Sequence, residues 1–184
     1  HALHLATFIT GQQVLEVSTD RQSFVKGRVL EDNAHVLLRF EKGASGFLWA
    51  SGVAVGHRHG LAIRVFGSEG SIEWCQEKPN QLKFSILGQT TRILELDSPE
   101  LHPPAKRLLR VGAGHPEGYF EAFSNIYSDF AEVLLAKLNG EAPDPLCLDL
   151  PTLEDGAKGV EFLEACVKSS KKNGKWVKTT FIDQ

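Results

Sequence analysis

The chain has 184 residues, of which 42% are hydrophobic and 23% charged, a balance that excludes disordered and fibrous classes. Twenty basic residues against 23 acidic ones leave a formal charge of −3, so there is no electrostatic footprint for a nucleic-acid partner. No apolar run approaches the roughly 18 residues of a membrane span, and the length points to one domain burying about 70% of its unfolded surface.

HALHLATFITG reads as a helix: Leu5, Phe8 and Ile9 share a face, and Gly11 stands where a left-handed terminal residue is needed. The period then changes to two. Gln12 to Ser18 alternates around Val14 and Val17, Ala34 to Phe40 is β-rich, and Gly46 to Val55 follows the hairpin signal Lys42-Gly43-Ala44-Ser45. Leu61 to Phe66 and Ser71 to Trp74 flank a second turn, Gly67-Ser68-Glu69-Gly70. Leu82 to Leu87 and Arg92 to Leu96 flank Gly88-Gln89. About seven short strands joined mostly by tight turns predict an antiparallel sheet.

Residues 97 to 117 carry four prolines and no clear period, which predicts a long loop. Helical spacing returns at Tyr119, Phe120, Phe123, Ile126, Tyr127, Phe130, Val133 and Leu134, and stops at Asn139-Gly140. A proline-bearing loop over Glu141 to Leu150 leads to a last helix, with Thr152 as its N-cap and acids in its first turn. That helix ends at the basic stretch Lys171-Lys172-Asn173-Gly174, and Trp176 to Phe181 forms a closing strand. The class is α+β, with one mostly antiparallel sheet and helices massed at the two ends of the sequence.

Three scattered cysteines, Cys75, Cys147 and Cys166, lack CxxC spacing, which argues against zinc and for a reducing compartment, the cytoplasm. The chain opens at His1 and contains no Met, the pattern of an internal fragment or a processed product. Gly112-Ala-Gly114-His-Pro-Glu-Gly118 resembles a dinucleotide fingerprint only loosely. One residue too many separates its last glycines, Pro116 intrudes, and too little chain follows for a doubly wound sheet.

The histidines cluster near chain ends and loops. His57-Arg58-His59 puts two imidazoles on one side of an extended segment, which suits a metal pair, a polar substrate loop or plain exposure. A cupin-type metal site needs an acid four or five residues beyond His59, where Ile63 and Arg64 stand. His1 and His4 lie one helical turn apart. His115 and Tyr119 sit where the long loop meets a helix, a frequent place for ligand contacts. Such residues suit acid–base work near neutral pH without naming a reaction.

Five stretches in order carry a resemblance. The first is His1-Ala-Leu-His4-Leu-Ala-Thr-Phe-Ile-Thr-Gly11, and the second is Asp32-Asn-Ala-His-Val-Leu-Leu-Arg-Phe40 with Gly43-Ala-Ser-Gly46. The third is the hairpin Leu61 to Trp74, with Gly67, Gly70 and Glu73. The last two are Gly114-His-Pro-Glu-Gly-Tyr-Phe-Glu-Ala-Phe123 and Asp155-Gly-Ala-Lys-Gly-Val-Glu-Phe-Leu-Glu164, and Lys175-Trp176-Val177 closes the set. Together they resemble the C-terminal domain of the Gfo/Idh/MocA family, the relatives of glucose–fructose oxidoreductase and inositol dehydrogenase.

The resemblance implies an open, mostly antiparallel sheet with helices packed on one face. It makes residues 1–184 a substrate-binding and oligomerisation domain whose Rossmann partner, the nucleotide-binding half, is absent from this chain. It implies NAD or NADP bound mainly by that other half, a sugar, cyclitol or polyol substrate, and a homodimer or tetramer paired through the sheet face. By the same likeness His1 matches the family's catalytic histidine. His4 stands where the family usually has an acid, and His59 falls on a loop that carries a polar substrate contact, with His57 and Arg58 beside it. His115 and Tyr119 match the segment that closes over substrate. No cofactor-binding or metal-binding residue is assigned in this chain. A silent domain that binds a carbohydrate or a partner is the alternative reading of the same residues.

Overall fold

The computed structural model describes residues 1–112 and 114–180. In chain order the elements are α1 (Ala2–Thr10), β1 (Val14–Gln22), β2 (Asn33–Phe40), β3 (Ser45–Ser51), β4 (Ala62–Phe66), β5 (Gly70–Cys75), β6 (Gln81–Ile86) and β7 (Arg92–Glu95). Then come α2 (Pro103–Lys106), α3 (Tyr119–Asn139), a 3₁₀ turn (Pro145–Cys147), α4 (Leu153–Ser170) and β8 (Val177–Lys178). The chain divides into two compact units, one built from His1–Arg58 with the segment from Thr152 onward, the other from His59–Pro151.

The first unit holds a sheet in the order β3-β2-β1-β8, with every pairing antiparallel. Along β2, Val36, Leu38 and Phe40 point into the core while Leu37 and Arg39 point out, as a period of two requires. Val14 and Val17 on β1 are both buried although three residues apart. The β1–β2 register slips between Val14 and Glu16, and this irregularity turns the strand so that both valines meet the core. Phe162, Ala165 and Cys166 of α4 complete that core, and Leu3 and Ala6 of α1 pack at its margin. The Thr152 hydroxyl accepts the Asp155 N–H while the Asp155 carboxylate accepts the Thr152 N–H, a capping box that starts α4 at the expected residue. α1 ends on Gly11 in the left-handed region, φ 61°.

The second unit is a meander in the order β4-β5-β6-β7, again antiparallel. A Cβ on Gly70 would lie 2.4 Å from the Ser85 carbonyl oxygen, so only glycine fits the start of β5. Arg107 makes two parallel bonds to Asp129 of α3, at 2.9 and 2.8 Å, and also donates to the Leu146 carbonyl, tying the chain before α3 to the 3₁₀ turn after it.

The α+β class and the antiparallel pairing agree with the sequence. The strands form two sheets of four, however, not one: β4 to β7 pair in chain order as a meander, while β1 to β3 are joined by the distant β8. The loop over residues 97 to 117 contains the short helix α2, started by two prolines that fit a first helical turn. The closing strand is only Val177–Lys178, and Phe181 lies outside the described residues. All three cysteines are free. Among the described residues no helix is long and apolar enough to cross a membrane.

Candidate functional site

Within the first unit a cleft of about 640 Å³ lies among α1, α4 and the sheet residues Leu48 and Ala50. His1, the N-cap of α1, and His4, one turn on, both line it and both are exposed, so their imidazoles stand at the solvent side of the cleft. The Leu5 N–H donates to the His1 carbonyl at 2.9 Å, which fixes the first residue to the helix. The His4 ring stacks on Phe8 at 6.3 Å.

The lining also holds four ionic side chains: Glu41, Asp155, Lys158 and Glu161. The Asp155 carboxylate accepts the N–H of Thr152 at 2.8 Å and the Thr152 hydroxyl at 2.7 Å. These bonds, chiefly the backbone N–H, hold its pKa below the usual carboxylate range, and the charges of Lys158 and His4 act in the same direction. Lys158 pairs with Glu154 at 2.8 Å, which raises its pKa. The walls are mainly apolar, with fixed charges around two imidazoles, a setting suited to moving one proton at a bound hydroxyl.

The other histidines expected at a site do not line this cleft. His57 belongs to the first unit, in an exposed turn after β3 where its N–H donates to the Ala54 carbonyl at 3.1 Å. Arg58 ends that segment and His59 opens the second unit, also exposed, just before Gly60, whose N–H donates to Glu77 at 2.9 Å. His115 and Tyr119 lie together in the second unit at the start of α3. The His115 Nδ1 is 3.1 Å from the Gly112 carbonyl oxygen. The Tyr119 ring meets Phe120 edge-on and Phe123 at 4.9 Å between centroids.

Asp155 and Lys158 at the cleft, and Glu117 between His115 and Tyr119, escaped the sequence reading as site residues. Asp155 shows there as a first-turn acid and as the start of a family-like stretch, and nothing local links it to His4. Glu117 is distinguished only by burial, at 8% exposure.

The residues do not fit a dinucleotide. Gly112, Gly114 and Gly118 follow no parallel strand among the described residues, and the backbone amides of Arg110, Val111 and Gly118 around them are already taken by carboxylates. Glu117 accepts from Arg110 N–H and Val111 N–H, and Glu121 accepts from Gly118 N–H at 2.8 Å. The Gly118 bond keeps Glu121 below the usual carboxylate range, so negative charge already stands at this helix start.

Residues 1–179 match the family model described as the oxidoreductase family, C-terminal alpha/beta domain. The chain belongs to the Gfo/Idh/MocA oxidoreductase family. It is 37% identical to an uncharacterized oxidoreductase, YfiI, of Bacillus subtilis, over 96% of this chain and 46% of that protein. An oxidoreductase structure from Sinorhizobium meliloti superposes with TM-score 0.90 at 44% identity, covering 95% of this chain and 49% of the other. An inositol dehydrogenase homolog from Azotobacter vinelandii, solved with NADH and myo-inositol, gives 0.88 at 44% identity over 97% and 48%. The chain thus spans about half the length of the relatives it matches.

Proposed function

We infer that this chain is the substrate-binding and oligomerisation domain of an NAD(P)-dependent oxidoreductase that transfers hydride between a sugar, cyclitol or related polyol and nicotinamide. The observation that carries this reading is His1, exposed on the first turn of α1 beside a cleft, in a chain with a relative solved with NADH and myo-inositol. On this reading the cofactor is held outside this chain and supplies the hydride acceptor when bound.

The part of this chain is binding and proton handling. The neutral imidazole of His1 accepts the proton of the reacting hydroxyl, since an alkoxide does not accumulate at neutral pH without a base. His4, beside Asp155, contacts the substrate from the next helical turn. His57, His59, His115 and Tyr119 orient its remaining hydroxyls. The outward face of the first sheet, with Leu37, Phe47 and Trp49, pairs two copies of the enzyme. Three free thiols suit a cytoplasmic setting.

The test is oxidation of myo-inositol and a panel of sugars and polyols by the full-length protein with NAD or NADP, comparing wild type with His1→Ala. Cofactor-dependent turnover that disappears in the variant supports the reading. Polyol binding without any turnover would support the silent binding domain instead.

A further inference from the structure

Among the described residues Glu117 and Asp32 are the two buried charged ones, and the proton handling above leaves Glu117 without a task. Its carboxylate accepts the Arg110 N–H and, more loosely at 3.5 Å, the Val111 N–H. The stretch it grips is also strapped to α3 by side chains. Arg110 donates to Asn125 at 2.6 Å and to Ser128 at 3.0 Å, and Asn125 donates to the Leu108 carbonyl at 2.8 Å. The next residue, Gly112, offers a carbonyl that receives two bonds from His115, the backbone N–H at 3.2 Å and the ring Nδ1 at 3.1 Å.

That last contact determines the ring's proton. A carbonyl oxygen only accepts, so Nδ1 must carry the hydrogen. In the neutral ring Nε2 is then bare, and the exposed edge of His115 is a hydrogen-bond acceptor. An acceptor at that edge selects a hydroxyl proton over a carbonyl or ether oxygen.

We propose that Glu117 is a positioning residue that holds the Arg110–Val111 backbone so that the Gly112 carbonyl keeps the His115 proton on Nδ1 and leaves Nε2 to accept a substrate hydroxyl. The proposal rests on the reading of His115 as a substrate contact. Glu117→Ala deletes the anchor. Glu117→Gln keeps its size and one acceptor oxygen but sets an NH₂ group against a backbone N–H, where two donors meet.

The experiment follows the nitrogen resonances of His115 in full-length protein labelled at imidazole nitrogen, above the pH at which the ring is charged. Wild type should show a single tautomer with hydrogen on Nδ1. Glu117→Ala and Glu117→Gln should both show a mixture of tautomers, with Asn125→Ala as a control that disturbs the strap but leaves the carboxylate. If either Glu117 variant keeps the Nδ1–H tautomer, or if Asn125→Ala scrambles it equally, Glu117 has no positioning role. The underlying reading is tested separately by the KM for myo-inositol in His115→Ala, expected to rise about tenfold with kcat nearly kept. Scrambled tautomers with an unchanged KM in His115→Ala would uphold the role of Glu117 and remove the substrate contact.

Discussion

The Thr19 backbone N–H donates to the Ser169 hydroxyl at 2.9 Å, a bond between the central strand of the first sheet and the last turn of α4. Ser169 in turn donates to the Lys175 carbonyl at 2.7 Å. β1 and β8 pair only at Glu16–Lys178 and Val17–Val177. Continued by two residues, the same register would set Thr19 opposite Lys175. The serine hydroxyl stands where that rung would form, so one fully buried side chain serves both backbone groups.

Replacing Ser169 by Ala leaves the buried Thr19 N–H without its partner and removes the donor to the more exposed Lys175 carbonyl. The expected loss is about 1–3 kcal/mol of stability, the cost of one orphaned buried donor. Urea unfolding of the variant against wild type checks it, and a loss below about 0.5 kcal/mol, the range of an ordinary surface substitution, refutes the bridge.

How far the sequence revealed this architecture depends on distance along the chain. Gly11, Gly140 and Thr152 are punctuation read within one turn of the helix they bound, and all three stand where expected. The alternation of β2 is equally local. The rephasing between Val14 and Val17 is visible as a spacing of three, but the irregularity that causes it exists only against β2. Ser169 meets Thr19 across most of the chain, and Glu117 looks like any loop acid until its burial is known. Division into two sheets depends on where ladders stop, which no periodicity encodes. His1 is proposed through motif likeness alone, whereas the approach of Asp155 to the same cleft required tertiary structure.

Acid should weaken the start of α4 in a defined direction. Asp155 has a lowered native pKa, held down first by the Thr152 N–H. On acidification the unfolded chain therefore takes up the proton before the folded one. The contribution is complete above the unfolded carboxylate pKa of about 4 and is lost as pH falls through the lower native value. Thr152→Ala should cost about 1 kcal/mol at neutral pH, and the gap from wild type should narrow below about pH 4. Unfolding curves at pH 7 and pH 3 test this, and a gap that does not change with pH counts against it.

Residues 1–184 by themselves should bind neither NAD nor NADP. The amides near Gly112 and Gly118 are committed to Glu117 and Glu121, and the local carboxylates repel a pyrophosphate. Calorimetric titration should give only heat of dilution. A micromolar dissociation constant for either nucleotide would overturn the assignment of the cofactor to another domain.

The outward face of the first sheet should carry self-association. Phe47 is 61% and Trp49 52% exposed, with Leu37 opposite Phe47 and the His35 ring stacked on both aromatics. Aromatic patches of this kind are rarely left open to water. Light scattering should show a dimer or tetramer, and Phe47→Glu should shift it towards monomer. A clean mass near 20.3 kDa at high concentration contradicts the expectation.

The decisive variant is His1→Ala in the full-length enzyme. Oxidation of a hydroxyl-bearing carbon needs a base at the oxygen, and an imidazole with an ordinary pKa of about 6.5 can serve at neutral pH. Its loss should lower turnover by roughly a hundredfold or more, the range of general-base contributions. It should also remove the limb of the rate profile that rises as the imidazole loses its proton. Loss of the polar group at His59, His115 or Tyr119 should instead raise KM with kcat largely kept, as the binding role proposed for them requires. Steady-state kinetics across pH separates the two effects. Near-normal turnover in His1→Ala, with the rising limb intact, would mean that the base lies outside this chain and that the first turn of α1 only shapes the cleft.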